Sequence, residues 1–146
     1  MQKITPCLWF DGKAEEAANF YVSIFSDSRI VGVTRMTVTF QLAGQDYIAL
    51  NGGPQYKVTP ALSLSVTCRT QGEVDDYWEE LTAGGAEVQC GWLTDRYGVS
   101  WQIVPAMLGE VLGGADAAGS SRAMQAMLTM KKLDIAALER AYAGEP

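Results

Sequence analysis

The chain has 146 residues, with 17 acidic and 11 basic side chains and a net charge of −6; nothing in it could neutralise a run of phosphates, which excludes a nucleic-acid partner. Hydrophobic residues make up 48% and charged residues 19%, an ordinary globular balance at a length that buries one sizeable core. There is no histidine, so Ser–His and Cys–His nucleophile systems are excluded and the commonest transition-metal ligand is missing.

The opening "MQKITPCLWFDG" contains no apolar run of signal-peptide or membrane-spanning length, and the expectation is a soluble, cytoplasmic protein with no membrane partner. "KITPCLWF" reads as a strand. Ile4, Pro6, Leu8 and Phe10 share one face, and Thr5, Cys7 and Trp9 the other. Asp11 is the expected N-cap of a helix running to about Phe25, with Ala14, Ala17, Ala18, Tyr21 and Phe25 as its apolar stripe. "RIVGVTR", "MTVTFQLAG" and "QDYIALN" are three further strands, ended by Gly52-Gly53-Pro54.

The same arrangement recurs. "ALSLSVTC" is a strand, Thr70 and Glu73 form a capping box, and Val74, Tyr77, Trp78 and Leu81 are the stripe of a second helix that stops at Gly84-Gly85. "AEVQCGWLTD" and "GVSWQIVP" are the strands behind it. Val99, Trp101 and Ile103 fall on one face of the last strand, which places the polar amide of Gln102 on the other. After the Gly-rich "GEVLGGADAAGSS", the stretches "SSRAMQAMLTM" and "LDIAALERAY" read as two short helices. Met124, Met127, Leu128, Ile135, Leu138 and Tyr142 are their expected packing positions. Cys7, Cys68 and Cys90 are too few and too widely spaced for a disulfide framework or a zinc site and are expected as free thiols. "LNGGP" leads into "QYKVTP" rather than a helix, so it is no phosphate cradle. Neither a G-x-G-x-x-G nor a P-loop is present.

The stretches "ITPCLWFDGKAEEAANFYVSIFSDSRI", "IALNGGP", "QCGWLTDRYGVSWQIVP" and "RAMQAMLTMKKLDIAALERAY", in this order and spacing, resemble the PhnB-like family, also described as the 3-demethylubiquinone-9 3-methyltransferase domain. That family lies within the vicinal oxygen chelate (glyoxalase, bleomycin-resistance, dioxygenase) superfamily. The resemblance implies an α+β fold: two βαβββ modules whose curled mixed sheets surround a cavity, followed by short C-terminal helices. The expected organisation is a single domain over 1–146, with module 1 at about 1–55, module 2 at about 58–106 and a helical tail at about 107–146. One departure is visible: the loop that relatives carry between the second and third strands is missing, and Met36 directly follows Arg35.

The resemblance also implies that metal-bearing relatives place their ligands at four cavity-facing strand positions. Here these are Thr5, Asn51, Ser63 (or Ala61) and Gln102. None is anionic and none is an imidazole, so the expectation is no metal and no cofactor. Cys7, Trp9, Tyr47 and Trp92 complete the expected cavity wall. Trp101 is expected in the core. No catalytic residue is assigned. The reading that follows is a metal-free binder of a small apolar or aromatic molecule, forming a homodimer through its tail helices. Two alternatives stand beside it: an enzyme, either a lyase or isomerase of the superfamily or the methyltransferase that the family description names, and a dimeric scaffold with a vestigial pocket.

Overall fold

The computed structural model describes residues 2–146, and the chain divides between Thr59 and Pro60 into two compact units. The first contains β1 (Cys7–Phe10), α1 (Ala14–Ile24), β2 (Arg29–Val33), β3 (Thr37–Leu42) and β4 (Gln45–Asn51). Its sheet has the order β1-β4-β3-β2. β1 runs parallel to β4, and the other pairs are antiparallel. Leu8, Phe10, Val38, Phe40, Leu42 and Ala49 are buried on one face, and the small side chains of Ala14, Ala17 and Ala18, with Tyr21, bring α1 down onto it. Asp11 does not cap this helix. Gly12, at φ +72°, turns the chain, Lys13 takes the cap position without a side-chain bond, and the Ala14 N–H is bound by Asn51 Oδ1 from β4 at 2.9 Å. The β3–β4 link is a two-residue turn with Ala43 and Gly44 both at positive φ, the geometry whose twist matches antiparallel strands. Thr34 closes the β2–β3 hairpin, its hydroxyl accepting from the N–H groups of Met36 and Thr37.

The second unit repeats the topology. β5 (Ser63–Cys68), α2 (Gln71–Thr82), β6 (Ala86–Glu87), β7 (Trp92–Thr94) and β8 (Ser100–Pro105) form a sheet of order β5-β8-β7-β6, with the first strand again parallel to the last. Thr70 caps α2 by accepting from Glu73 N at 3.1 Å, and Val74, Trp78 and Leu81 are buried. Trp101 is in the core, with Ile103 and Leu93. Its indole N–H donates to the buried Asp95 at 2.8 Å, and the other carboxylate oxygen of Asp95 accepts from the N–H groups of Tyr97 and Val99. Among the described residues no helix is long and apolar enough to cross a membrane.

Two further expectations are corrected. "AEVQCGWLTD" is not one strand: Cys90 (φ 60°) and Gly91 (φ 82°) turn the chain between the short β6 and β7. The tail holds three helices rather than two, α3 (Leu108–Leu112), α4 (Ala117–Leu128) and α5 (Ile135–Ala143), so the Gly-rich stretch is partly helical. Leu133 and Leu138 are buried with Leu108, and Val104 and Met127 pack against them, whereas Met124 and Leu128 stay exposed. The tail is bound to this unit: Cys90 N and Gly91 N donate to Met130 O and Lys131 O, and Lys132 pairs with Asp75 at 2.9 Å.

Candidate functional site

Each sheet has a helix on one face, and strand alternation fixes which side chains point the other way. In the first unit the cross-strand register sorts the face opposite α1 into rows. Arg29 lies beside Gln41 and Gln41 beside Asp46. The next row is Gly32, Thr39, Ile48 and Cys7, with Val31 bulged out of register next to Gly32, and the last is Thr37, Leu50 and Trp9. The first row is held by hydrogen bonds. Arg29 Nε donates to Gln41 Oε1 at 3.1 Å, and Gln41 Nε2 donates to Asp46 Oδ1 at 2.7 Å. Gln2 completes it through its backbone N–H, 3.2 Å from Asp46 Oδ2. The Gln41 amide beside Asp46, then the Gln2 N–H and the Arg29 charge, hold the Asp46 carboxyl below its ordinary range. A charge at each end leaves the Gln41 amide only one favourable orientation.

The first two rows border a cleft of about 240 Å³, lined by Thr5, Arg29, Val31, Thr39, Phe40, Gln41, Asp46, Tyr47 and Ile48. Of the residues expected at a cavity, Thr5 and Tyr47 border it, but Tyr47 is the register partner of the buried Phe40, so its ring lies on the α1 side of the sheet. The Tyr47 ring stacks on Phe40 at 5.5 Å, and burial pushes its phenol up. Cys7 is exposed in the neighbouring row, and desolvation raises its thiol above the ordinary value. Trp9 is not in the cleft. Its indole N–H donates to Gly53 O at 2.9 Å, and Tyr56 meets its ring edge-on at 5.1 Å, so the 52–56 segment folds over it.

Asn51 does not face this side. It is in register with Phe10 and follows the parity of the buried Ala49, and its amide is committed to Ala14 N and Arg35 O. In the second unit Gln102 Nε2 donates to Ser63 Oγ at 2.9 Å, and Trp92 is the register partner of Gln102 on the face opposite α2. The sequence reading missed Arg29, Val31, Thr39, Gln41, Asp46 and Ile48. Alternating polar and apolar positions in β2, β3 and β4 carried the signal, but only the register aligns them into rows.

The four positions corresponding to metal ligands in relatives do not fit a metal. Asn51 is spent on α1 and the hairpin turn, Gln102 and Ser63 bond each other, and all four donors are neutral. Among the described residues no group of three or more His, Cys, Asp or Glu could hold an ion.

A family model described as 3-demethylubiquinone-9 3-methyltransferase matches residues 2–104. The PhnB protein from Bacillus cereus is 40% identical, covering 72% of this chain and 100% of its own, with a TM-score of 0.69. A fosfomycin resistance protein from Listeria monocytogenes, solved with Mn(II) and sulfate, is 18% identical over 77% of this chain and 98% of its own, with a TM-score of 0.58. A glyoxalase-related enzyme from Fulvimarina pelagi is 13% identical over 73% and 91%, with a TM-score of 0.51. The last two share the fold alone: two four-stranded mixed sheets with helices, the glyoxalase/bleomycin-resistance architecture. No curated protein matches the chain.

Proposed function

The chain belongs to the 3-demethylubiquinone-9 3-methyltransferase (PhnB) family, and from that premise we propose that it binds a small, largely apolar molecule in the cleft of its first unit, without a metal and without covalent chemistry. The observation that carries this reading is the cleft itself. Val31 and Ile48 offer apolar surface, and Thr5, Thr39, Gln41, Asp46 and Arg29 offer convergent polar groups, the composition of a small-molecule site. At about 240 Å³ it falls below the roughly 300–1,000 Å³ of drug-sized sites, so the ligand is small. The thiols support binding over catalysis. Burial raises Cys7 and, with Glu73, pushes Cys68 up to about 11, which keeps both protonated and weakly nucleophilic at neutral pH.

NMR titration with a library of small aromatic and aliphatic compounds tests the proposal. Binders should shift the Thr39, Gln41 and Ile48 signals; shifts confined to other residues, or none at millimolar concentration, would defeat it. The methyltransferase reading is kept because the family's description names that activity. Calorimetric titration with S-adenosylmethionine decides it, micromolar binding making it the better reading. We further propose a homodimer built on α4, where Met124 and Leu128 are exposed large apolar groups at 39% and 58%. Light scattering showing a monomer at micromolar concentration would refute that assembly.

A further inference from the structure

We infer that the ligand of this cleft carries a carboxylate, and that Arg29 reads it. The inference rests on the cleft being the ligand site. Among the described residues, Arg29 uses only Nε, toward Gln41. Among the described residues no ion pair engages it, whereas Lys13, Arg122 and Lys132 each have an acidic partner. Its two terminal nitrogens therefore keep four N–H groups in the planar fork that matches a carboxylate. The Gln41 bond restrains that fork, because Gln41 is itself anchored on Asp46.

The second charge in the row is already spent. One Asp46 oxygen accepts from Gln41 and the other from Gln2, so the negative end is occupied by the protein while the positive end is open. A ligand that places its carboxylate on the outer edge of Arg29 lies farthest from Asp46. From there its apolar body extends over the bulged Val31, which lines the cleft, toward Thr39 and its register partner Ile48. The strand register and the cleft lining thus specify a small amphipathic acid, with the charged head on the Arg29 row and the carbon skeleton on the Thr39–Ile48 row beside the bulged Val31.

The probes are phenylacetate and hexanoate, compared with phenylacetamide and hexanamide, in NMR titrations of the full chain. The acids should shift Thr39 and Ile48 and bind at least about 10-fold more tightly than the amides, as expected when a hydrogen bond to a charged group is added. Arg29→Gln should remove that preference, and Arg29→Lys should recover part of it. Comparison of acid and amide on the wild type stands even if a variant does not fold. Equal binding of acids and amides at Thr39 and Ile48 would overturn the carboxylate while leaving the cleft as a ligand site. Failure of all four to shift those residues would overturn both.

Discussion

Asn51 shows how one side chain can be committed to architecture although its type suits a binding site. Its oxygen closes the open N-terminus of α1 and its amide N–H₂ donates to Arg35 O in the β2–β3 turn. Asn51→Ala should cost about 0.5–2 kcal/mol, the range for losing an N-terminal cap. Asn51→Asp should cost less, because it keeps the acceptor and adds a charge that the helix N-terminus favours. Chemical denaturation of both variants checks the order. Cys68 gives a pH dependence of definite sign. Burial, and secondarily Glu73, raises its thiol from 9.0 to about 11, so between these values the unfolded chain has released a proton that the folded chain still holds. Stability is therefore fully present below pH 9 and falls as pH rises toward 11. The difference in denaturation midpoint between wild type and Cys68→Ala, followed across that window, should show a loss confined to the wild type.

At the scale of elements, the 52–56 segment explains why two glycines follow β4. A Cβ on Gly52 would sit 2.2 Å from the Trp9 ring, so only glycine lets the backbone cross over that indole and meet its N–H with Gly53 O. Gly52→Ala should lift the segment and expose Trp9. The measurement is tryptophan emission, expected to shift to the red, with no such shift when Trp9→Phe is combined with it. The strands themselves were legible where burial differs sharply between faces. Leu8 and Phe10 against Cys7 and Trp9, or Trp101 and Ile103 against Gln102, alternate as apolar and less apolar, and the structure buries these four apolar residues, whereas Ile4, expected in the same row, precedes β1 and is exposed. β4 was not legible in this way. Tyr47, Ala49 and Asn51 on one side, and Ile48 and Leu50 on the other, are both credible core rows, and the polar Asn51 sits on the helix side because it caps that helix. The same ambiguity hid the cleft, since Arg29, Gln41 and Asp46 lie on three different strands and align only through strand register.

For the molecule as a whole, the tail raises the question of what holds it. The Met positions expected to pack are partly exposed, and the tail is fastened instead by polar contacts that helical periodicity does not reveal. Gln71, the first residue of α2, reaches across: its N–H₂ donates to Leu133 O at 3.1 Å and its oxygen accepts from Ile135 N at 2.8 Å, while Asp75 one turn later binds Lys132. One amide thus satisfies an acceptor and a donor at the start of α5, and it holds Leu133 where that side chain joins Leu108 and Leu138 in the core. Gln71→Ala leaves both backbone groups without their protein partner, at about 1–3 kcal/mol for each that stays buried. The loss should be local, because Thr70 still caps α2 and the sheet is untouched. Hydrogen exchange should therefore quicken across residues 130–143 while β5 and β8 keep their protection. Asp75 adds a pH dependence in the same direction: Lys132, then Gln71, lowers its carboxyl below 3.8, so its contribution holds above that value and fades as pH falls through the lowered one. Uniform quickening over β5 and β8 as well would mean that the tail and the second sheet open as one cooperative unit, with Gln71 a support of the whole rather than a clasp for the tail.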